Sequence, residues 1–518
     1  MFQFEPQAPE WIAVLPVMIV AIGGILGLIV EILHPKRDNN LIVVLSMVSL
    51  VIAAIVLGFQ FGEQPFDTVY ETITRDPFGI AIQFIVVICT ALCVLFSEPY
   101  LREKRIAHGE FYPLILWSAT GAMIMSMTHN LLVIFLGLEI LSVALYVLAG
   151  LSRNEEKSEE SAVKYFLLGA FASGFLLYGI ALVYGATGSL NLDQIAFTWR
   201  HHDSTLHTFL VFGIGLILIG LGFKSSFVPF HQWTPDVYNG APTNVTAFMA
   251  TVSKIGAIAA LARVLEGADA LSSIWAPAMS VIAVLTMTVG NVVALRQTDV
   301  KRILGYSSIA NAGYILVALI ARAGHTSGTS KGEVGLGSVV FFLFSYSLAT
   351  IGALTVVSLC AKNGGEKTTH TDLHGMAKRS PLAAAALVIF AASMIGLPPT
   401  AGFFAKLFVF EDAQRSGWTW LALVMAANSA VSVVYYLSIA LAALTEDKSE
   451  ARDSSRFQSP VVSGTYVLCA AGVVAVAIFF APIMNWMGLN SSPSRPTVPE
   501  RAHRSPLAKR MNERGKAS

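Results

Sequence analysis

The chain has 518 residues, of which 55% are hydrophobic and only 13% charged, and its mean hydropathy is +0.65. A soluble core cannot bury so much apolar surface, so the composition indicates a protein that lies in a lipid bilayer. The formal net charge of +1, with no basic face, excludes nucleic-acid binding, and four scattered cysteines give no metal or disulfide framework.

Apolar segments of membrane-spanning length follow one another along most of the chain. They predict an all-α integral membrane protein, because each segment must satisfy its own backbone hydrogen bonds in lipid. The fourteen segments are 11–33, 40–61, 79–97, 111–128, 130–151, 162–185, 208–238, 241–266, 274–296, 301–322, 336–361, 382–412, 417–444 and 462–487. The turn at Thr128, His129 and Asn130 is inferred from length, since about 40 apolar residues exceed a hydrocarbon core of about 30 Å.

Lysine and arginine are concentrated in the loops after odd-numbered segments, as in the pairs Lys36/Arg37 and Lys378/Arg379. The positive-inside rule therefore places those loops in the cytoplasm and both termini on the opposite side of the membrane. The basic tail after Asn490 disagrees with this orientation. We expect residues 491–518 to be disordered and to report topology poorly.

Two segments are too long to be straight spanning helices. Residues 208–238 and 382–412 number 31 each, and an α-helix of that length would extend about 46 Å. The helix breakers near their middles are Pro229 and Pro235 in the first, and Gly396, Pro398, Pro399 and Gly402 in the second. We predict broken helices, which in corresponding positions of two halves indicate inverted repeats and an ion path at the membrane midplane. Plain proline kinks are the alternative.

Four ionisable residues lie within apolar segments: Glu139, Lys224, Lys254 and Lys406. A charge at the bilayer centre costs about 2.5 to 3.5 kcal/mol, so these residues must be paired, hydrated or functional. One acid cannot pair with three bases, which predicts that some lysine either exchanges protons or lies in water. Movement of Glu139 relative to Lys224 would then act as a switch. A static salt bridge that fixes helix packing is the alternative for this pair.

Other polar residues have two interpretations each. Lys164 lies at the start of its segment and is either a site of proton uptake or a membrane anchor. His231 follows the break at Pro229 and suits a proton relay, or it is a hydrogen-bonded packing residue. Polar residues of 301–322 would line a hydrated path or join helices by hydrogen bonds. They are Tyr306, Ser307, Ser308, Asn311 and Tyr314.

Several stretches resemble subunit N of the NADH-quinone oxidoreductases, respiratory complex I. They are LGLEILSVALYVL, VKYFLLGAFASGFLLYGIALVYGATG, GFKSSFVPFHQWTPDVYNGAPT with the following TVSKIGAIAAL, and GLPPTAGFFAKLFVF. The HQWTPDVYNGAPT segment belongs to a wider antiporter-like family, which includes Mrp-type antiporters and membrane-bound hydrogenase subunits. Lys406 favours subunit N, because its paralogue M has glutamate there.

The resemblance implies fourteen helices, with two inverted five-helix repeats over segments four to eight and nine to thirteen, and with the seventh and twelfth helices broken. It implies that Glu139 and Lys224 are the coupling pair, Lys254 the central lysine and Lys406 the exit-side proton carrier, with Lys164 and His231 as auxiliary relay residues. The domains would be three N-terminal helices (1–110), the first repeat (111–270), the second repeat (271–450), a C-terminal helix (451–490) and the tail (491–518).

The function that the resemblance implies is proton translocation by a membrane-arm subunit of NADH-quinone oxidoreductase, a translocase. The chain itself would hold no cofactor or metal, whereas NADH, FMN, iron–sulfur clusters and quinone would bind to partner subunits. Other membrane-arm subunits, including further antiporter-like ones, are the expected partners. The alternatives are a subunit of a Mrp-type cation/proton antiporter or of a membrane-bound hydrogenase, and a passive scaffold whose charges only fix assembly.

Overall fold

A computed structural model describes residues 8–33, 39–62, 66–68, 72–201, 204–323, 335–362, 365–446 and 459–486. The pair Lys36/Arg37 and the predicted disordered tail over 491–518 lie outside these residues. The described chain is almost entirely helical, with only two short hairpins, β1–β2 (Phe66–Thr68 and Ile73–Arg75) and β3–β4 (Ala361–Lys362 and Gly365–Glu366).

The helices of the first half begin with three apolar helices and continue to the first overlong segment. They are α1 (Ala8–Leu33), α2 (Asn40–Gln60), α3 (Pro77–Glu103), α4 (Phe111–Ser126), α5 (Leu131–Ala149), α6 (Glu156–Thr187), α7 (Leu192–His201), α8 (Ser204–Ser225) and α9 (Trp233–Gly240). The next run crosses the bundle as α10 (Thr243–Phe248), a π-helix (Met249–Ser253) and α11 (Lys254–Gly267).

The second half starts with a 3₁₀ turn (Asp269–Leu271) and repeats the pattern of the first. Its helices are α12 (Ser272–Ala294), α13 (Val300–Ala321), α14 (Leu336–Ser358), α15 (His370–Leu373), α16 (Met376–Arg379), α17 (Pro381–Ile395), α18 (Ala401–Arg415), α19 (Thr419–Leu444), α20 (Pro460–Ile478) and α21 (Phe480–Trp486).

Fourteen apolar segments are present in the described part of the chain, as predicted. Twelve helices or continuous runs are long and apolar enough to cross a membrane, and α4 and α17 are two shorter apolar helices. The turn that was inferred from length alone separates α4 from α5. There the Asn130 side chain caps α5 by accepting a hydrogen bond from the Leu132 N–H at 2.9 Å.

Both overlong segments are broken, and the prediction of broken helices at the seventh and twelfth positions is confirmed. Ser226, directly after α8, has φ +65°, and Gly396, directly after α17, has φ +89°. Each break also contains a cis peptide bond, Val228–Pro229 in the first and Pro398–Pro399 in the second. Since proline lacks an N–H, neither helix can continue through its break.

The two five-helix repeats share their packing. In the first repeat α4 packs against both α5 and α11, and in the second α12 packs against both α13 and α19. The broken helix is the fourth of five in each. Close helix contact depends on small residues at some positions, because a Cβ added to Gly179 of α6 would lie 2.6 Å from the carbonyl oxygen of Gly213 on α8.

Burial divides the bundle into a lipid-facing layer and an interior. The most apolar stretches of α1, α2 and α6 are only 33–39% buried, whereas that of the run from Thr243 to Gly267 is 100% buried and those of α13 and α14 are 94% buried. The run 243–267 and α13 carry Lys254 and most of the polar residues named above. The protein therefore surrounds these groups with other helices, where hydrogen bonds offset the loss of hydration.

Candidate functional site

Lys224 lies in the last turn of α8, and its side chain is buried against α5 and α6. Its Nζ donates hydrogen bonds to the Ser142 hydroxyl at 2.8 Å and to the Tyr165 hydroxyl at 2.7 Å. Glu139, one turn before Ser142 on α5, is half-buried and accepts a hydrogen bond from the Ser173 hydroxyl. Among the described residues no ion pair joins Glu139 to Lys224, so the static salt bridge is not the arrangement observed.

A small cavity lies between Lys224 and Ser173, the hydroxyl that donates to Glu139. It lies between α5, α6 and α8, and its lining includes Ser142, Tyr146, Ser173 and Lys224. Its volume of ≈ 10 Å³ is about the space that one water molecule needs. Ser173, which donates to Glu139, and Lys224 both line the cavity, so one water molecule there can contact polar groups on both sides.

The break after α8 positions His231 and α9. Trp233, the first residue of α9, stacks on Tyr165 with ring centroids 4.7 Å apart and donates its indole N–H to the Phe223 carbonyl at 3.0 Å. This contact holds the half-helix against the Lys224 site. His231 is half-exposed in the break, and its buried Nδ1 has no hydrogen-bond partner.

Lys254 is the first residue of α11, directly after the π-helix, and is 2% exposed. Its Nζ donates to the carbonyl oxygen of Ser308 at 2.6 Å and also to the Ser308 hydroxyl. In the part of the chain that the structure describes, no carboxylate forms an ion pair with it. The central lysine is therefore bound to α13 through uncharged oxygens.

Polar side chains continue from Ser308 along α13 and α19. The Ser307 and Tyr436 hydroxyls are hydrogen-bonded, and the Asn311 amide donates to the same Tyr436 hydroxyl at 3.1 Å. Further along, the Asn291 amide donates to the Tyr314 hydroxyl at 3.0 Å. Ser307, Asn311 and Tyr314 make these contacts and Ser308 holds Lys254, whereas Tyr306 is half-buried and makes none of them.

Lys406 lies on α18, the second half of the broken twelfth helix. Its Nζ donates to the Met394 and Ile395 carbonyls, each at 2.8 Å, and to the Ser429 hydroxyl at 2.8 Å. It lies 5.4 Å from the centre of the Tyr314 ring, which connects it to the network of α13. The two carbonyls are at the C-terminal end of α17, where the helix dipole favours a cation.

Lys164 has a different environment from the other lysines. Its side chain is 39% exposed and forms ion pairs with Glu160 at 2.6 Å and Asp236 at 2.9 Å. Asp236 also pairs with Arg302 at 2.9 Å, so this cluster ties α6 to α9 and α13. These contacts favour the anchor interpretation of Lys164.

Two buried ionic clusters, which were not predicted from the sequence, lie one at each end of the run that carries Lys254. The Glu366 cluster consists of Glu366, Lys104, Lys301 and Glu155. The Arg263 cluster consists of Arg263, Asp76, His129 and Glu266. Arg263 was identifiable inside an apolar segment, and Glu266 follows it on the same helix, but Asp76 and His129 come from distant loops, and nothing in the sequence pairs them with Arg263.

Arg263 dominates the electrostatics of its cluster. Its guanidinium holds the Asp76 carboxylate by two hydrogen bonds of 2.6 Å and also donates to the Ser126 carbonyl. Burial acts to raise the pKa of Asp76, but the Arg263 charge and hydrogen bonds outweigh it and lower that pKa. Burial, together with the same Arg263 charge, lowers the pKa of His129.

Among the described residues, no group of His, Cys, Asp and Glu side chains is arranged to hold a metal ion. Residues 128–432 match a family described as NADH:quinone oxidoreductase/Mrp antiporter, TM. NADH-quinone oxidoreductase subunit N of Trichlorobacter lovleyi is 40% identical, over 89% of this chain and 93% of its own length.

Two solved structures share the fold. A chain of respiratory complex I from Thermus thermophilus is 31% identical, with a TM-score of 0.75 over 92% of this chain and 99% of its own. A chain of the Mrp complex from Dietzia sp. has a TM-score of 0.77 over 93% of this chain and 97% of its own, at 19% identity. The second likeness extends to the fold alone.

Proposed function

We propose, since the chain belongs to the subunit N family of the NADH-quinone oxidoreductases within the wider NADH:quinone oxidoreductase/Mrp antiporter family, that it translocates protons in the membrane arm of such a complex. Its partners would be the other membrane-arm subunits, including further antiporter-like ones. NADH, FMN, the iron–sulfur clusters and quinone would bind to partner subunits and not to this chain.

One observation carries the proposal. Lys224, Lys254 and Lys406 each donate to at least one hydroxyl group, and among the described contacts none of the three forms an ion pair. A hydroxyl accepts a hydrogen bond from an ammonium group and, after rotation, donates one to a neutral amine. Each site can therefore satisfy both protonation states, as a proton carrier requires.

The proposed order of transfer follows the polar contacts. A shift of Glu139 relative to Lys224 would change the charge balance there and pass a proton toward Lys254. The proton would then pass from Lys254 along the polar side chains of α13 and α19, which include Ser308, Tyr436 and Tyr314, to Lys406. Movement of one charge against 100 mV costs about 2.3 kcal/mol, so the driving energy must come from quinone reduction in partner subunits.

Replacement of Lys254 by methionine tests the proposal in the assembled complex. We expect quinone-linked proton uptake by inside-out membrane vesicles to fall to a small fraction of the wild-type value, because methionine fills the space but cannot carry a proton. NADH oxidation with an artificial electron acceptor should not change, since it reports assembly of the partner subunits. Lys164→Met, at a half-exposed ion pair, serves as the matched control with a smaller effect.

Normal proton uptake by an assembled Lys254→Met complex would favour the passive scaffold instead. The Mrp-type alternative is tested by the composition of the purified complex. Co-purification with flavin and iron–sulfur subunits is the expected result, and a complex without redox subunits would contradict the proposal.

A further inference from the structure

The Glu366 cluster brings two carboxylates and two lysines together at one end of the bundle. The Glu366 side chain is only 4% exposed, and it lies 3.7 Å from the Nζ of both Lys104 and Lys301. Its two carboxylate oxygens accept hydrogen bonds from the Tyr100 hydroxyl at 2.7 Å and the Thr243 hydroxyl at 2.6 Å. All the interactions of this carboxylate are therefore directed inward.

The same cluster joins four separate parts of the chain. Lys104, at the end of α3, also pairs with Glu155 at 2.8 Å, and Lys301, on α13, also donates to the Ala241 carbonyl at 2.6 Å. Thr243 begins α10, and Glu366 comes from the hairpin that precedes the second broken helix. Removal of one partner from such a buried group leaves an uncompensated charge, so separation of these side chains costs free energy.

The Glu366 cluster lies at the end of the helices that hold Lys254. Lys301 precedes Ser308 by seven residues on α13, which is about two helical turns or roughly 10.5 Å on the same face. Thr243 begins the run that carries Lys254. The cluster therefore lies at one end of the bundle, about two helical turns along α13 from the Lys254–Ser308 contact.

Unpaired polar atoms accompany Lys254 toward the cluster. Asn244 Oδ1, beside Thr243, and Ser253 Oγ, beside Lys254, are buried without hydrogen-bond partners. The hydroxyls of Tyr238 and Tyr346 are buried and interact with Ser308, but neither makes a hydrogen bond of normal length. Each such atom costs about 1–3 kcal/mol unless water reaches it, so this region is suited to transient hydration.

We propose that the Glu366 cluster is a gate between the adjacent aqueous phase and Lys254, with Glu366 as the positioning residue that holds it closed. Separation of Glu366 from Lys301 admits water to the unpaired atoms and gives Lys254 a proton path to that face. By the positive-inside rule this face is cytoplasmic. The inference rests on the proposed function, because a gate at this place serves proton transfer by Lys254.

Glu366→Gln in the assembled complex tests the gate. Glutamine keeps the size of the side chain and can still accept a hydrogen bond from one of the two hydroxyls, Tyr100 or Thr243, but it removes the charge that holds two lysines. We expect passive proton leak across vesicle membranes without substrate to rise several-fold, and protons moved per quinone to fall. Glu446→Gln removes an exposed carboxylate that pairs with Lys378 at 2.8 Å, and this control should leave the leak unchanged.

A second readout reports water access directly. Ser253→Cys replaces one unpaired hydroxyl, and the four native cysteines are buried. We expect a small cationic thiol reagent to modify Cys introduced at this position several times faster when Glu366→Gln is also present. Lys301→Gln opens the same gate from its other side and replaces Glu366→Gln if that variant fails to assemble.

The gate would be overturned if the assembled Glu366→Gln complex showed the wild-type proton leak, and if Glu366→Gln left the modification rate of Ser253→Cys unchanged. Loss of pumping without any increase in leak would overturn it too, because that result assigns Glu366 to proton carriage. Lys254→Met measured in parallel separates the two proposals. If Lys254→Met pumps normally the proposed function fails, whereas the gate is judged from leak and modification, neither of which needs pumping.

Discussion

The three buried lysines show how a membrane protein can stabilise an ammonium group in its interior without an ion pair to a carboxylate. Each is held by hydroxyl or carbonyl oxygens, which stabilise the ammonium form by about 1.5–3 kcal/mol per hydrogen bond to a charged group. A paired carboxylate would hold the proton far more strongly at low dielectric. Lys164, with carboxylates at 2.6 and 2.9 Å, illustrates that contrast within the same chain.

The Arg263 cluster makes stability depend on pH. Because burial and Arg263 lower the pKa of His129, the unfolded chain takes up this proton below about pH 6.5 while the folded chain stays neutral until a lower pH. Stability from this group is full above pH 6.5 and falls as the pH decreases, by at most about 1.4 kcal/mol per unit. Asp76, whose pKa is also lowered, keeps its contribution in this range.

We therefore expect the thermal stability of the purified complex to decrease as the pH falls from about 6.5 to about 5.5, and His129→Gln to make that decrease shallower. Glutamine retains a hydrogen-bonding group near Thr74 and Arg263 but cannot take up a proton. The melting temperature of the purified complex in detergent is the measurement. An equal slope in both proteins would contradict the assignment to His129.

At the scale of elements, a break in a helix does two things at once. It frees carbonyl groups at the C-terminal end of the first half, and it places the second half where a side chain can reach them. Lys406 on α18 donates hydrogen bonds to two such carbonyls at the end of α17. Gly396 makes the turn possible, since its φ of +89° is costly for a residue with a Cβ.

Gly396→Ala should lower both stability and proton pumping. The left-handed conformation costs alanine roughly 1–2 kcal/mol, and the added Cβ would lie 3.1 Å from Cδ of Lys406. Gly464→Ala in α20 is the matched control, because nothing lies within 4 Å of its added Cβ. Melting temperature and protons moved per quinone are the readouts, and identical behaviour of the two variants would show that Gly396 has no special role.

On the scale of the whole molecule, contacts between loops define two opposite ends of the bundle. Lys104, Glu155, Lys301 and Glu366 meet at one end. Asp76, His129 and Arg263 meet at the other. The alternation of these loops along the chain is that of a polytopic membrane protein, and the charge distribution predicts that the Glu366 end is cytoplasmic.

Cysteine labelling tests this orientation. Lys378 is 73% exposed at the predicted cytoplasmic end, and Asp193 is 57% exposed at the opposite end. We expect a membrane-impermeant maleimide to modify Asp193→Cys in intact spheroplasts, and Lys378→Cys only in inside-out vesicles. The reverse pattern would contradict the orientation inferred from the positive-inside rule.

The membrane class, the fourteen segments and the two breaks were predictable from the sequence alone. Hydrophobicity over one span, proline geometry and the hydrogen bonding of a helix are local properties that a short window contains. The positions of Lys224, Lys254 and Lys406 within apolar segments were predictable for the same reason. Their roles in proton transfer and the division into domains stay predictions.

Tertiary structure decided which groups surround each charge. The Glu366 carboxylate and the Tyr100 hydroxyl are 266 residues apart in sequence, and Asp76 and Arg263 are 187 apart. A single sequence contains no signal for such pairs, because they depend on how helix ends meet after packing. The hydroxyl partners of the lysines, the separation of Glu139 from Lys224 and the gate above Lys254 all follow from that packing.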